Sequence, residues 1–159
     1  MIFGAITNSW REQLPSHTLK ELVGAAVEKG AKHIELRQTC LGECETGAGD
    51  DWRPILAELQ KLVDAYPSLT FDLAMALPCL TQKIDPAGEM FQAALAGAKI
   101  VGGAQPHLRV VYPAALEGLW TSPSDIPEEA LGLAGLATEA ARQGVIMSME
   151  SSSLPSRNM

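Results

Sequence analysis

Aromatic residues make up only 5% of this 159-residue chain. With few large rings and abundant Ala, Leu and Gly, the composition suits helices lying close on a sheet. Cysteine is equally sparse. Cys40, Cys44 and Cys79 are an odd set with no secretory signal before them, which argues against a disulfide framework and predicts reduced thiols in a cytoplasmic protein. Cys40 and Cys44 are spaced CxxxC, but no second ligand pair lies nearby, so ordinary loop thiols are favoured over a zinc site. Basic residues form no run and the net charge is -7, a poor match to nucleic acid or an anionic membrane surface, although a local basic pocket stays open. The apolar start, Met1 to Ile6, lacks a basic flank and a long apolar core, so no signal peptide is predicted. No window approaches the ~18 unbroken apolar residues of a membrane span. P-loop, GxSxG and HExxH signatures are missing. Val101-Gly102-Gly103-Ala104 closes a predicted helix instead of opening one, so it is no dinucleotide fingerprint.

What remains is a globular composition, 47% hydrophobic and 19% charged, of a length that builds one core. Ile2–Ile6 predicts a buried strand. Thr18 and Glu21 form a capping box ahead of a helix with Leu19, Leu22, Val23, Ala26 and Val27 on one face, ended at Gly30. A strand follows at His33–Arg37, then a Gly-rich acidic loop from Gly42 to Asp51, long enough to be functional or mobile. A second helix is predicted from near Asp51, with Trp52, Ile55, Leu56, Leu59, Leu62, Val63 and Tyr66 as its stripe and Pro67 as its end. The third strand is Leu69–Ala76. Asp85-Pro86 predicts the start of a third helix, Asp as N-cap and Pro in the first turn. A fourth strand is predicted at His107–Tyr112, a loop carrying Trp120 from Pro113 to Pro127, a helix at Glu128–Arg142 and a fifth strand at Val145–Glu150. The polar stretch 151–159 predicts a disordered tail. Strict alternation of strands and helices implies a parallel sheet with right-handed crossovers.

Side chains on a strand alternate between its two faces. Ile34 and Leu36 therefore oppose His33, Glu35 and Arg37. Phe71, Leu73 and Met75 oppose Thr70, Asp72 and Ala74. Leu108, Val110 and Tyr112 oppose His107, Arg109 and Val111, and Val145, Met147 and Met149 oppose Ile146, Ser148 and Glu150. Four strands thus share one apolar face and one face bearing charge. A sheet covered by helices on both sides would bury those charges at several kcal/mol per unpaired ion. A closed barrel places them in its lumen, near the carboxyl-end rim. The pattern favours a (β/α) barrel over a doubly wound sheet. Glu35 is a candidate site residue, or the partner of Arg37 or Arg109 in an ion pair. Arg37 and Arg109 bring forked guanidinium groups to the same face, and Asp72 is a candidate for the same lumen. His33 and His107, early in their strands, read as core or edge histidines.

Three segments carry a resemblance: Gly30-Ala31-Lys32-His33-Ile34-Glu35-Leu36-Arg37, Ala96 to Val101 with Leu108-Arg109-Val110-Val111, and Gly144 to Ser151. In order and spacing the chain resembles the xylose isomerase-like superfamily, which holds sugar (phosphate) isomerases and epimerases and the type-2 AP endonucleases. The resemblance spans residues 1–151. It implies a TIM barrel that uses a divalent metal (Mn, Mg, Co or Zn) in proton or hydride shifts at a sugar carbonyl. It also implies a small sugar or sugar-phosphate substrate. Glu150 matches the family's metal-ligand Glu at the end of strand five, Glu35 a common strand-two Glu, and Arg109 the strand-four Arg near the substrate. Glu35 and Glu150 are the implied catalytic residues, with Arg37, Arg109 and Asp72 on the substrate side. Ser151 departs from the Asn that usually follows the strand-five Glu.

The family's other metal ligands and its second catalytic Glu belong to later strands. The expectation is therefore an incomplete (β/α)8 barrel, five parallel strands with four helices over residues 1–150, truncated after the fifth strand. Such a chain is expected to be catalytically incomplete and not to hold the metal stably. The alternatives are a non-catalytic truncated isoform and a half-barrel that assembles with another copy. An AP-endonuclease role is disfavoured by the acidity. Unpaired edges along Phe3–Ile6 and Val145–Met149 predict self-association.

Overall fold

The computed structural model describes residues 3–112, 122–126 and 128–150. The predicted tail at 151–159 and the segment carrying Trp120 lie outside them. Five parallel strands make one sheet: β1 (Gly4–Ile6), β2 (His33–Arg37), β5 (Thr70–Ala76), β6 (His107–Val111) and β7 (Ile146–Glu150). They lie side by side in chain order, and every neighbouring pair is parallel. Four helices of ten residues or more connect them: α1 (Leu19–Glu28), α2 (Leu56–Ala65), α3 (Glu89–Val101) and α5 (Leu133–Arg142). The single turn α4 (Glu128–Leu131) precedes the last. The fold is α/β, as alternation requires. Among the described residues no helix is long and apolar enough to cross a membrane.

The helices bury their apolar stripes against one face of the sheet. Leu19 and Val23 of α1, Leu59 and Leu62 of α2, Phe91 and Leu95 of α3, and Leu136 and Ala140 of α5 share one core. That core also holds Ile34, Leu36, Leu73, Met75, Leu108 and Val110. Thr18 starts α1 with the predicted reciprocal cap: its Oγ1 accepts from the Glu21 N–H at 3.2 Å, and the Glu21 carboxylate accepts from the Thr18 N–H at 2.9 Å. Helix α3 approaches closely at Gly97, where a Cβ would sit 3.1 Å from Pro54 and 3.2 Å from Leu73.

Four local expectations change. The second helix begins at Leu56, not near Asp51, because Arg53 precedes a proline and is steered to extended backbone. Glu45–Thr46 (β3) and Arg53–Pro54 (β4) instead form a small antiparallel ladder, and Trp52 is fully buried outside any helix. Asp85 does not cap the third helix. Its carboxylate accepts from the Ala87 N–H at 2.9 Å in a local turn, and α3 starts four residues later, after an extended Gly88. The predicted helix Glu128–Arg142 is interrupted at Gly132. The first strand is short and only partly covered, with Phe3 56% exposed, because among the described residues it has a neighbour on one side alone.

The acidic loop is structural. Glu43 receives the Leu19 N–H at 2.9 Å at the free start of α1. Glu45 receives the N–H groups of Thr39 and Leu41 at 2.8 Å each and the Trp52 indole N–H at 2.6 Å. These bonds hold Thr39 at φ 65, a backbone conformation unusual for a residue other than glycine.

Candidate functional site

The second face of the sheet carries the residues that alternation assigns to it, and register decides which of them meet. Across one level, Glu35 of β2 pairs with Asp72 of β5, and across the next, Arg37 pairs with Ala74. Ala74 in turn is level with Arg109 of β6, and Arg109 with Ser148 of β7. Glu150 lies one level further toward the carboxyl end, opposite Val111.

Three candidates converge. One terminal nitrogen of Arg109 donates to the Glu35 carboxylate and the other to the Glu150 carboxylate. The three side chains come from β2, β6 and β7 and are 15–26% exposed, so the charges sit where solvent screening is reduced. The Glu35–Arg109 pair crosses β5, where the side chain level with Arg109 is the fully buried methyl of Ala74. A larger residue there would obstruct it. The Nε of Arg109 is buried and has no hydrogen-bond partner.

Asp72 belongs to a second cluster. Its carboxylate accepts from His33 Nε2 at 3.2 Å through one oxygen and from His107 Nδ1 at 2.9 Å through the other. Burial pushes the Asp72 carboxyl up, but the bonds from the two imidazoles outweigh it and hold the group below the ordinary carboxylate value. The bond to Asp72 raises His33, against the opposing effect of burial. The outer nitrogens of both rings are also engaged, His33 Nδ1 with Thr70 Oγ1 at 2.9 Å and His107 Nε2 with Ser148 Oγ at 2.7 Å. The two histidines, expected as core or edge residues, are part-buried with both ring nitrogens of each engaged. They are members of a hydrogen-bonded chain across four strands.

Arg37 makes no ion pair with either cluster, but its guanidinium lies close enough to feel the charges of Arg109, Glu150 and Glu35. It lines a cavity of about 380 Å³ with Arg11, Gln38, Thr39, Asp50 and Met90. Burial, and next the Arg109 guanidinium, lower its affinity for its proton. It forms no ion pair with Glu35, whose partner is Arg109.

Ser148 and Arg11 were not singled out from sequence. Parity places Ser148 on the face of Glu150, but its contact with His107 depends on the offset between β6 and β7. Arg11 belongs to the segment after β1, where no periodicity marks a functional position.

The fit of a divalent metal is decided by the donors. Glu35 and Glu150 both face the same guanidinium, which already supplies the positive charge between them. Among the described residues no group of three His, Cys, Asp or Glu is placed to hold a metal ion. The described donors therefore make an incomplete ligand set. The three cysteines are buried and free, and burial pushes the Cys44 thiol up to about 12, far from a ready thiolate ligand. No protein-family model matches the chain, and no curated protein matches it.

Proposed function

We propose that the chain carries part of a sugar or sugar-phosphate isomerase or epimerase site on five units of a (β/α) barrel, and that its chemistry is proton transfer next to a carbonyl. The observation that carries the reading is the convergence of Glu35, Arg109 and Glu150 from three strands on the polar face. Sequential strand order with a charged face opposite the helices supports the barrel. In this reading one of the two carboxylates removes a proton from the carbon beside the carbonyl. The C–H electron pair becomes the C=C of an enediolate, and the negative charge moves to the former carbonyl oxygen. Arg109 holds that oxygen. Return of the proton to the neighbouring carbon, with the hydroxyl proton passing from one enediolate oxygen to the other, completes isomerisation, and return to the opposite face of the same carbon completes epimerisation. In the superfamily that the sequence resembles, a divalent metal polarises the carbonyl. The described donor set is incomplete for one, so no step is assigned to it.

The engagement of both Arg109 terminal nitrogens by carboxylates favours a second reading, in which the ion triad only ties three strands together. Deuterium incorporation separates the two. A ketose or its phosphate is incubated with the chain in D₂O and followed by NMR. The expected result is incorporation at the carbon beside the carbonyl, lost in Glu35→Gln or in Glu150→Gln, with negligible multiple-turnover isomerisation on adding Mn²⁺ or Mg²⁺. Equal incorporation by the wild type and both variants refutes the proton-transfer reading in favour of the structural one.

A further inference from the structure

Ser148 sits on β7, level with Arg109 and two residues before Glu150. Its Oγ lies 2.7 Å from His107 Nε2, and the Nδ1 of the same ring lies 2.9 Å from Asp72 Oδ2. The proton positions follow from the partners. An ionised carboxylate only accepts, so Nδ1 of His107 carries the hydrogen. In the neutral ring Nε2 is then the acceptor, and the Ser148 hydroxyl donates to it. A hydroxyl whose proton already points at a base, with that base oriented by a buried carboxylate, is the arrangement that activates a serine nucleophile.

Two further facts fit this use. The site is reachable, because the His107 side chain is 29% exposed and Ser148 is only partly buried. The residue level with Ser148 on the adjoining strand is Arg109, whose Nε is a buried donor with no partner. β7 is the outer strand of the described sheet, and its one neighbour, β6, brings this side-chain donor to the level of Ser148, where an oxyanion would develop.

We propose that Ser148, His107 and Asp72 form a nucleophilic serine site for a small activated acyl group such as a carboxylic ester. Arg109 Nε supplies its oxyanion donor. Ser148 Oγ attacks the acyl carbon while its proton passes to His107 Nε2, and Asp72 stabilises the imidazolium. The ester C–O bond breaks, and the leaving oxygen takes that proton. Water, deprotonated by the same ring, then cleaves the acyl–Ser148 bond, and the ring returns that proton to Ser148 Oγ as the carboxylic acid leaves. Asp72, His107 and Ser148 do no proton transfer in the isomerase reading, and the two readings share only Arg109, through its terminal nitrogens there and its Nε here.

A fluorophosphonate tests it directly. Ser148 Oγ bonds to phosphorus, fluoride leaves, and the serine proton passes to His107. Intact mass and peptide mapping on the wild-type chain should find one adduct, on Ser148, with no variant required to fold. Labelling should vanish in Ser148→Ala and slow about 100-fold in His107→Gln, the low end of what a positioned general base contributes. p-Nitrophenyl acetate should leave an acetyl group on the same residue. No adduct, an adduct elsewhere, or labelling of Ser148 at an unchanged rate in His107→Gln would each overturn the proposal.

Discussion

Replacing Arg109 with methionine keeps the length and apolar character of the stem while deleting both bonds to carboxylates. The two charge-assisted hydrogen bonds go to Glu35 and Glu150. Bonds of this kind are each worth about 1.5–3 kcal/mol. Exposures of 15–26% at the three side chains put each near the lower end, because water still screens part of the charge. Two such bonds give a loss of about 3 kcal/mol, matching the lower bound for removing one member of a buried ionic group and leaving its partners uncompensated. For a domain of this size the loss corresponds to a fall in Tm of roughly 6–12 °C. Urea unfolding at neutral pH, followed by far-ultraviolet circular dichroism, measures it. The triple variant Glu35→Gln, Arg109→Met, Glu150→Gln removes the stranded charges as well and should recover at least half of the loss. If Arg109→Met unfolds within about 0.5 kcal/mol of the wild type, or the triple variant is no more stable than the single one, the triad is not a coupled unit and the reasoning fails.

Gly47 has φ 72, and a Cβ there would lie 2.1 Å from the Asp51 carbonyl oxygen, so Gly47→Ala should cost about 2 kcal/mol of unfolding free energy by opening the β3–β4 hairpin. Unchanged stability would show that the hairpin relaxes freely. His33 is raised in the folded chain, so its pairing stabilises fully below its ordinary value of 6.5 and is lost as pH climbs through the raised one. Asp72 is lowered, so its contribution is full above 3.8 and disappears as pH falls through the lowered value. The His33–Asp72 pair is therefore strongest between 3.8 and 6.5, and the urea midpoint should decline above that window in the wild type but less steeply in His33→Gln. The open outer edges of β1 and β7, with Phe3 56% and Ile146 59% exposed, predict self-association. Light scattering that gives a concentration-independent mass near 16.9 kDa would refute it.

Much of this arrangement was legible from strand alternation. The assignment of Glu35, Asp72, Arg109, Ser148 and Glu150 to one face required only a period of two and a sheet packed by helices on its apolar side. Which of them touch was not legible. Glu35 and Arg109 are 74 positions apart, and their meeting depends on two successive strand registers that no local pattern encodes. The His33–Asp72–His107–Ser148 chain depends on three. Boundaries failed where a local alternative outcompeted the helix: the extended bias of Arg53 before Pro54, and the turn closed by the Asp85 carboxylate. Glu45 reads as a loop acid in sequence, yet its three bonds hold Trp52 and Thr39 in place, because only the folded loop brings those donors together.

The partner pattern on the polar face also acts as a checksum during folding. Parallel strands must find neighbours far away in the chain, and one-residue slips are the natural error. A slip of β6 by one residue would turn Arg109 into the layer of Leu73 and Met75 and break its bonds to Glu35 and Glu150. It would also detach His107 from Asp72 and Ser148. Each stranded ion costs several kcal/mol. A misaligned sheet would thus be penalised on several strands at once. The same ionic and imidazole contacts that make this face a candidate for chemistry would reject wrongly threaded sheets.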